Sequence, residues 1–294
     1  SARQEAAALK VHCADIGAKR GLSMMERTSV LRGLSETEVA LRGDAVCTPR
    51  LTTAKNVAQS QTSSPFADAN VQLITGGTGG LGLLTAGWLA EASRKSHVML
   101  VSRSGKLPLD ACERLVSRGA AGAAVHRCDA GEPAEAQRLT ATMQRSLPPL
   151  RGMWHTAGVL ADGLLAQQDA SKLARTFAPK VGGATCLHHA HAATLLDVRI
   201  HFSSIAGLVG GAGQANYAGA NVWLDALATC EKAQGCAAAS IEWGPWAESG
   251  MASGNAISSR MSAMGLGLID PWQGLAAMEA AMQASRPSVV AFWL

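Results

Sequence analysis

The sequence has little of several things. Aromatic residues make up 4% of its 294 positions, and one tyrosine, Tyr217, occurs in the whole chain. Charged residues are also sparse, at 16%, while 48% of the chain is apolar. That balance excludes a disordered or coiled-coil chain and supplies enough apolar surface for a sizeable core. No strong excess of one charge is present. The net charge of +4 suits a small anionic ligand and falls short of a nucleic-acid footprint, so no nucleic-acid partner is expected. The seven cysteines are odd in number, irregularly spaced and without a CxxC pair. They argue against a disulfide framework and for a reducing, cytoplasmic compartment. The polar, charged opening SARQEAAALKVH does not read as a secretory leader. The longest stretch free of Asp, Glu, Lys and Arg, residues 200–224, is broken by glycine, serine, asparagine and histidine. It reads as buried core passing into a site, with no membrane span expected.

Residues 1–65 differ from the rest, with scattered charges, a polar linker-like run at 54–65 and no sustained strand periodicity. Ser35 followed by Glu38 predicts a short helix around Ser35–Leu41. From Val71 onward short apolar runs recur at Val71–Thr75, His97–Val101, Ala123–His126, Gly152–Thr156, Val198–Ser203 and Ala239–Trp243, separated by Ala- and Leu-rich stretches. Ser288–Trp293 offers a further edge strand. Apolar strands alternating with helices predict an α/β fold, a doubly wound parallel sheet covered on both faces. The division expected is a partial N-terminal structural subdomain with linker at 1–65 and a main domain at 66–294.

The first of these strands runs straight into Gly76-Gly77-Thr78-Gly79-Gly80-Leu81-Gly82, and Leu83–Ala92 has helical composition. Strand, glycine turn and helix in that order form a dinucleotide signature. Glycines let a pyrophosphate approach the backbone, and the helix N-terminus offers it unpaired N–H groups. The alternative is a Gly-rich surface turn. The next strand bears on the cofactor's identity. Its end carries Ser102-Arg103-Ser104 and no acidic residue, which favours the 2′-phosphate of NADPH over the free ribose of NADH. Asp129, ending the third strand, either caps the adenine side or closes a simple turn.

A second constellation lies downstream. The strand Val198–Phe202 ends in Ser203-Ser204, and Tyr217 follows thirteen residues after Ser204 in a helix-like segment, with Asn221 one turn further. Residues i and i+4 share a helix face, and the carboxyl ends of strands are where doubly wound sheets bind ligands. Hydroxyl donors are thereby aimed at a place where negative charge can build on a substrate oxygen. A phenol, with a pKa of about 10, needs a nearby cation to titrate closer to neutrality.

The TGGTGGLG turn at 75–82, HTAG at 155–158 and the serine–tyrosine spacing resemble the short-chain dehydrogenase/reductase superfamily. Common members carry YxxxK, whereas this chain has Tyr217-Ala-Gly-Ala-Asn221 and an upstream lysine in Pro179-Lys180-Val. That lysine–asparagine exchange, with VALRG at 39–43, PRL at 49–51, HTAGVLADGLL at 155–165, KVGGATCLH at 180–188, FSSIAGLVGGAGQANYAGAN at 202–221 and IEWGPWAESGMA at 241–252, is similar to the ketoreductase domains of type I polyketide synthases. Animal-type fatty acid synthase ketoreductases are close. The resemblance runs from about Glu38 onward. It implies a Rossmann-type fold and NADPH-dependent reduction of a β-ketoacyl thioester tethered by phosphopantetheine to an acyl carrier protein, within a longer polypeptide bearing neighbouring synthase domains. By the same resemblance Tyr217 is the general acid, Ser204 binds the substrate oxygen, Lys180 holds the phenol and ribose hydroxyls, and Asn221 completes a proton relay. Cofactor contacts are expected from Thr75, Gly76, Gly77, Thr78, Gly79, Gly80, Leu81, Gly82, Ser102, Arg103, Ser104, Asp129, Ala157, Gly158, Pro245 and Trp246.

Stereocontrol is expected at Leu160, Asp162 and Val209. Reductases giving the D (3R) alcohol often read Leu-Asp-Asp where this chain reads Leu160-Ala161-Asp162, and the opposing class carries tryptophan where it has Val209. Two other readings stay open: a silent scaffold that binds NADPH without turnover, and a fatty acid synthase ketoreductase. The lysine–asparagine exchange and VALRG…PRL argue against a free-standing reductase of small ketones or steroids. His188, His189 and His191 lack a completing carboxylate or cysteine pattern, so no metal is expected. Trp243 and Trp246 either line the acyl channel or fill the core, and Glu248–Ile269 resembles a mobile lid.

Overall fold

In the computed structural model, the residues described are 69–108, 110–247, 265–283 and 288–291, together with three short strands nearer the N-terminus. The chain separates into a unit of residues 2–60 and a unit made almost wholly of residues 61–294. In the smaller unit, β1 (Cys13–Ile16) pairs in parallel with β2 (Glu38–Arg42), which pairs antiparallel with β3 (Ala45–Cys47). The Ser35–Leu41 helix is therefore corrected: residues 38–42 are a strand. The local capping signal loses because strands on both sides supply the backbone hydrogen bonds, and tertiary pairing overrides propensity. The expected linker at 54–65 lies outside the described residues, as do the whole of the expected PRL element at 49–51 and the 248–264 part of the lid.

The larger unit is built on a seven-stranded, wholly parallel sheet. Its strands are β4 (Asn70–Thr75), β5 (Ser96–Ser102), β6 (Gly122–Arg127), β7 (Leu150–His155), β8 (Val198–Ser204), β9 (Ala238–Trp243) and β10 (Ser288–Ala291). They lie in the order β10-β9-β8-β7-β4-β5-β6. Each predicted strand is present to within two residues, and Ser288–Ala291 closes the edge beside β9. Central β4 is buried along its length while edge strand β6 is partly exposed, as expected for a sheet covered on both faces.

The described helices are α1 (Gly80–Ala92), α2 (Ala111–Arg118), α3 (Pro133–Ser146), α4 (Ala170–Phe177), α5 (Gly183–Ala190), short α6 (Ala206–Val209), α7 (Ala215–Ala233) and α8 (Pro271–Gln283). α1 begins three residues before the predicted Leu83, inside the glycine run, because Gly79 is extended and ends the turn. No helix among the described residues is long and apolar enough to cross a membrane. Two apolar cores form. One contains Ile74, Leu89, Leu100, Trp154, Ile200 and Ile241, and the other contains Leu73, Val101, Leu139, Met153 and Leu187.

β4 and β7 carry polar side chains into this interior and satisfy them. Trp154, fully buried, donates Nε1–H to Gln72 Oε1 at 2.8 Å and meets Trp88 edge-on at 5.6 Å between ring centroids. Gly152 lies opposite Gln72 because a Cβ there would sit 1.8 Å from Gln72 Oε1. Trp154→Ala should remove both contacts and cost about 3–5 kcal/mol, measured by urea unfolding.

Candidate active site

The strand order reverses between β4 and β7, and at that switch point the carboxyl ends of both strands diverge. The opening is a cleft of about 500 Å3, lined by the glycine turn, Ser102–Ser104, Cys128–Gly131, Thr156–Val159 and Pro179. The turn is held tightly. Gly76 adopts φ +67°, and a Cβ there would come within 2.8 Å of the Ala157 backbone. A Cβ on Gly82 would meet the Gly76 carbonyl oxygen at 2.4 Å, so only glycine lets α1 pack this close to the turn. Thr78, Gly79, Gly80, Leu81, Ala157 and Gly158 all face the cleft. Gly77 instead packs toward Leu100, and its N–H donates to the Val101 carbonyl at 3.1 Å.

Arg103 stands exposed at the cleft rim and makes no hydrogen bond or ion pair among the described residues. Its turn is pinned by neighbours, since Ser102 Oγ accepts from Gly105 N at 3.1 Å and Ser104 Oγ from Lys106 N at 3.3 Å. Asp129 lines the cleft and also closes a local turn, its Oδ1 accepting from Gly131 N at 3.0 Å. Trp246 goes elsewhere. Its indole is 4% exposed and packs against Trp243 at 4.8 Å, so it is a core residue beside Pro245.

The four residues expected to carry chemistry converge from three elements. Lys180 lies in a π-helical turn, Ala178–Gly182, between α4 and α5, where Pro179 has no N–H to continue an ordinary helix. Its side chain is 3% exposed. Nζ donates to the Phe202 carbonyl at 2.8 Å and sits 5.4 Å from the centroid of the Tyr217 ring. Tyr217 and Asn221 occupy one face of α7. Ser204 ends β8, accepting from Ala206 N at 3.2 Å. Asn221 is fully buried. Its Nδ2 donates to the Tyr217 carbonyl at 2.8 Å, and its Oδ1 finds no partner among the described residues. A buried acceptor left open in this way calls for water or ligand.

Burial drives the electrostatics. It pushes the Tyr217 phenol up, Ser204 and Asn221 pull against that rise by hydrogen bonding, and the Asp162 charge adds to it. It brings the Lys180 ammonium down to about 7, with Asp225 opposing. Asp225 lies one turn beyond Asn221 and accepts from Ser240 Oγ at 2.5 Å.

Three contributors were not assigned roles from sequence. His155 bridges β7 to the Lys180 turn. The Lys180 carbonyl can only accept, so His155 Nε2–H donates to it at 2.9 Å, and Nδ1 takes the Thr75 hydroxyl hydrogen at 2.7 Å. Burial, with His201 and Lys180 nearby, brings His155 down to about 3, so this tautomer stays neutral. Asn216 Nδ2 donates to the Ala161 carbonyl at 2.8 Å and its Oδ1 accepts from Tyr217 N at 2.8 Å. It thus ties the Leu160–Asp162 loop to the tyrosine. Asp225 is the third. The i+4 and i+8 spacing from Tyr217 through Asn221 could have flagged it, while the other two depend on long-range pairing. Asp162 is exposed and accepts from Gln214 Nε2 at 3.1 Å; Val209 is exposed and Leu160 half-buried. Of the histidines, His188 Nδ1 pairs with Glu231 at 2.8 Å and His191 Nε2 lies 3.2 Å from Thr140 Oγ1.

A phenol, a hydroxyl, an amide and a buried ammonium beside a glycine-lined cleft can bind a carbonyl oxygen and pass it a proton. Comparison with known proteins agrees with that chemistry. A family model described as KR domain matches residues 70–248. Polyketide synthase GfsB of Streptomyces halstedii is 38% identical over 269 residues, covering 87% of this chain and 5% of that protein. Phenolphthiocerol synthesis polyketide synthase type I Pks15/1 of Mycobacterium marinum is 32% identical over 297 residues, covering 94% of this chain and 14% of that protein. A solved A1-type ketoreductase superposes with a TM-score of 0.86 at 29% identity, over 96% of this chain and 60% of its own. A solved structure of A-type ketoreductases from a modular polyketide synthase gives 0.85 at 30% identity, with the same coverage. The chain therefore spans a small part of the synthases it matches.

The local electrostatics can be tested directly. Asp225→Asn removes the charge opposing desolvation, so the Lys180 midpoint should fall below its value of about 7. NMR titration of the lysine Nζ groups would measure it.

Proposed function

The chain belongs to the ketoreductase (KR) domains of type I polyketide synthases, and from that premise we propose that it reduces a carrier-bound β-ketoacyl thioester to the β-hydroxyacyl thioester with NADPH. The observation that carries this reading is the meeting of Lys180, Ser204, Tyr217 and Asn221 beside the cleft. In this reading residues 66–294 form the catalytic domain and residues 1–65 a structural subdomain with its linker.

The residues present fit the cofactor. The glycine turn leaves backbone N–H groups open at the start of α1, and Arg103 is an unpaired cation at the rim where a 2′-phosphate would lie. When bound, the nicotinamide supplies the hydride. Everything else falls to the protein. Ser204 and Tyr217 hold the ketone oxygen as negative charge builds on it, and Tyr217 gives up its phenolic proton. Burial keeps that phenol protonated until needed, and the Lys180 ammonium 5.4 Å from its ring stabilises the phenolate left behind. The open Oδ1 of Asn221 orders a water that returns the proton. Asp162, linked to Gln214 and through Ala161 and Asn216 to the tyrosine, guides the acyl chain toward the D (3R) alcohol. The acyl carrier protein and neighbouring synthase domains are the partners, and the cytoplasm is the compartment.

Purified protein mixed with NADPH and a β-ketoacyl thioester should consume the cofactor, followed by absorbance. Tyr217→Phe should lower the rate by about 10²–10⁴-fold, the usual worth of a positioned acid. Arg103→Ala should weaken NADPH by about tenfold, the worth of a hydrogen bond to a charged group, and leave NADH unaffected. Chiral analysis of the product tests the Asp162 assignment. NADPH binding without turnover would mean a silent scaffold.

A further inference from the structure

A second polar cluster lies in the interior, away from the cleft. Glu231, near the end of α7, is fully buried, and the groups around it come from two other elements. Arg199 on β8 ion-pairs with its Oε1, and His188 Nδ1 on α5 hydrogen-bonds to the same oxygen at 2.8 Å. His201 Nε2 on β8 meets its Oε2 at 2.8 Å. A carboxylate only accepts, so both imidazoles donate. These are the elements that carry the reducing site. Glu231 follows Tyr217 on the same helix by about 21 Å. His201 precedes Ser204 on the same strand by about 10 Å. His188 follows Lys180 through the helix that the π turn opens. A further link runs sideways, since the His201 and His155 rings meet edge-on at 6.1 Å and His155 grips the Lys180 carbonyl.

Stability alone does not account for such a cluster. Among the described residues Arg199 Nε and His201 Nδ1 are buried without a partner, and three polar side chains, Glu231, Arg199 and His201, have been taken out of water, with His188 partly so. Apolar residues of similar size commonly hold a core as well or better, whereas a buried ion pair can fix register. We propose that Glu231 is a positioning residue, fixing the mutual register of α5, β8 and α7 and thereby the spacing of Lys180, Ser204 and Tyr217. This rests on the reading of those three as the reducing site. Helices and strands transmit an axial slip undiminished, so a shift at Glu231 reappears at Tyr217. A misplacement of about 1 Å in a site of this kind costs about a hundredfold in rate.

The test uses the full chain with two changes: Glu231→Gln, and the paired Arg199→Met with Glu231→Leu, which leaves no charge stranded. Thermal melting reports stability, NADPH fluorescence reports the cleft, and steady-state kinetics separate kcat from KM. Tyr217 is the chain's one tyrosine, so protein labelled with [13Cζ]-tyrosine gives a single resonance that reports the site without turnover. Folded variants should bind NADPH normally and show kcat lowered by about a hundredfold with KM little changed. Their tyrosine resonance should be displaced. Wild-type kcat and resonance in folded variants would overturn the proposal, even with a lower melting temperature. Failure of both variants to fold would also overturn it, making the cluster a requirement of folding and not of alignment. If the wild type itself turned nothing over, the proposed function would fail separately, and the tyrosine resonance alone would decide the register.

Discussion

The pairing of β4 with β7 is the contact on which the rest of the site depends. Strand order reverses there, so the chain leaves the two carboxyl ends in different directions and a cleft must open between them. The two ends are also locked together. Thr156 donates to the Thr75 carbonyl through both its N–H, at 3.1 Å, and its hydroxyl, at 2.7 Å. Gly76 lies against Ala157 too closely for any side chain. The same junction presents His155 to the backbone of the Lys180 turn, so one pairing fixes both the cleft and the place of Lys180.

Burial then sets the chemistry. Taking Lys180 and Tyr217 out of water disfavours the charged form of each, which lowers the lysine and raises the tyrosine. In the proposed reduction the tyrosine gains from that shift, since an acid must hold its proton until the substrate oxygen develops charge. In the same proposal the lysine loses by it, since its charge would be what stabilises the phenolate. Asp225 offsets the loss on one side, while Ser204 and Asn221 moderate the rise on the other. Asp225 is itself raised by burial, with Ser240, Ser203 and Lys180 acting against that rise. Asp225 thus tunes Lys180, and Ser204 and Asn221 tune Tyr217.

Family membership follows from a match over most of the larger unit, and the surrounding residues show how general machinery is fitted to one chain. Much of the cleft is the glycine turn, where a side chain would clash with the backbone. The individual features sit at its edges: an unpaired Arg103, an exposed Asp162 with its Gln214 partner, and an alanine where a second acidic residue often stands. Specificity is expected at these edges, because side chains there can change without disturbing the β4–β7 junction.

Much of this was legible in the sequence because it is local. Alternating apolar runs marked every strand of the large sheet, the glycine run marked the turn, and the i,i+4 spacing placed Tyr217 and Asn221 on one helix face. Where a local signal competed with pairing it misled, as at Ser35–Leu41, whose capping pattern lost to two partner strands. Trp246 read either as a contact residue or as core, since sequence does not show which way an indole points, and the fold packs that indole against Trp243. What tertiary structure alone decided is the long-range part. His155 reaches the Lys180 carbonyl, Asn216 ties the Leu160–Asp162 loop to Tyr217, and Glu231 joins three elements. Each joins residues brought together by strand order, which no spacing along the chain encodes. The sequence by itself determined which strands of the large sheet form and placed Tyr217 and Asn221 on one helix face. Folding decided that Tyr217 and Lys180 are buried, and burial disfavours the charged form of each.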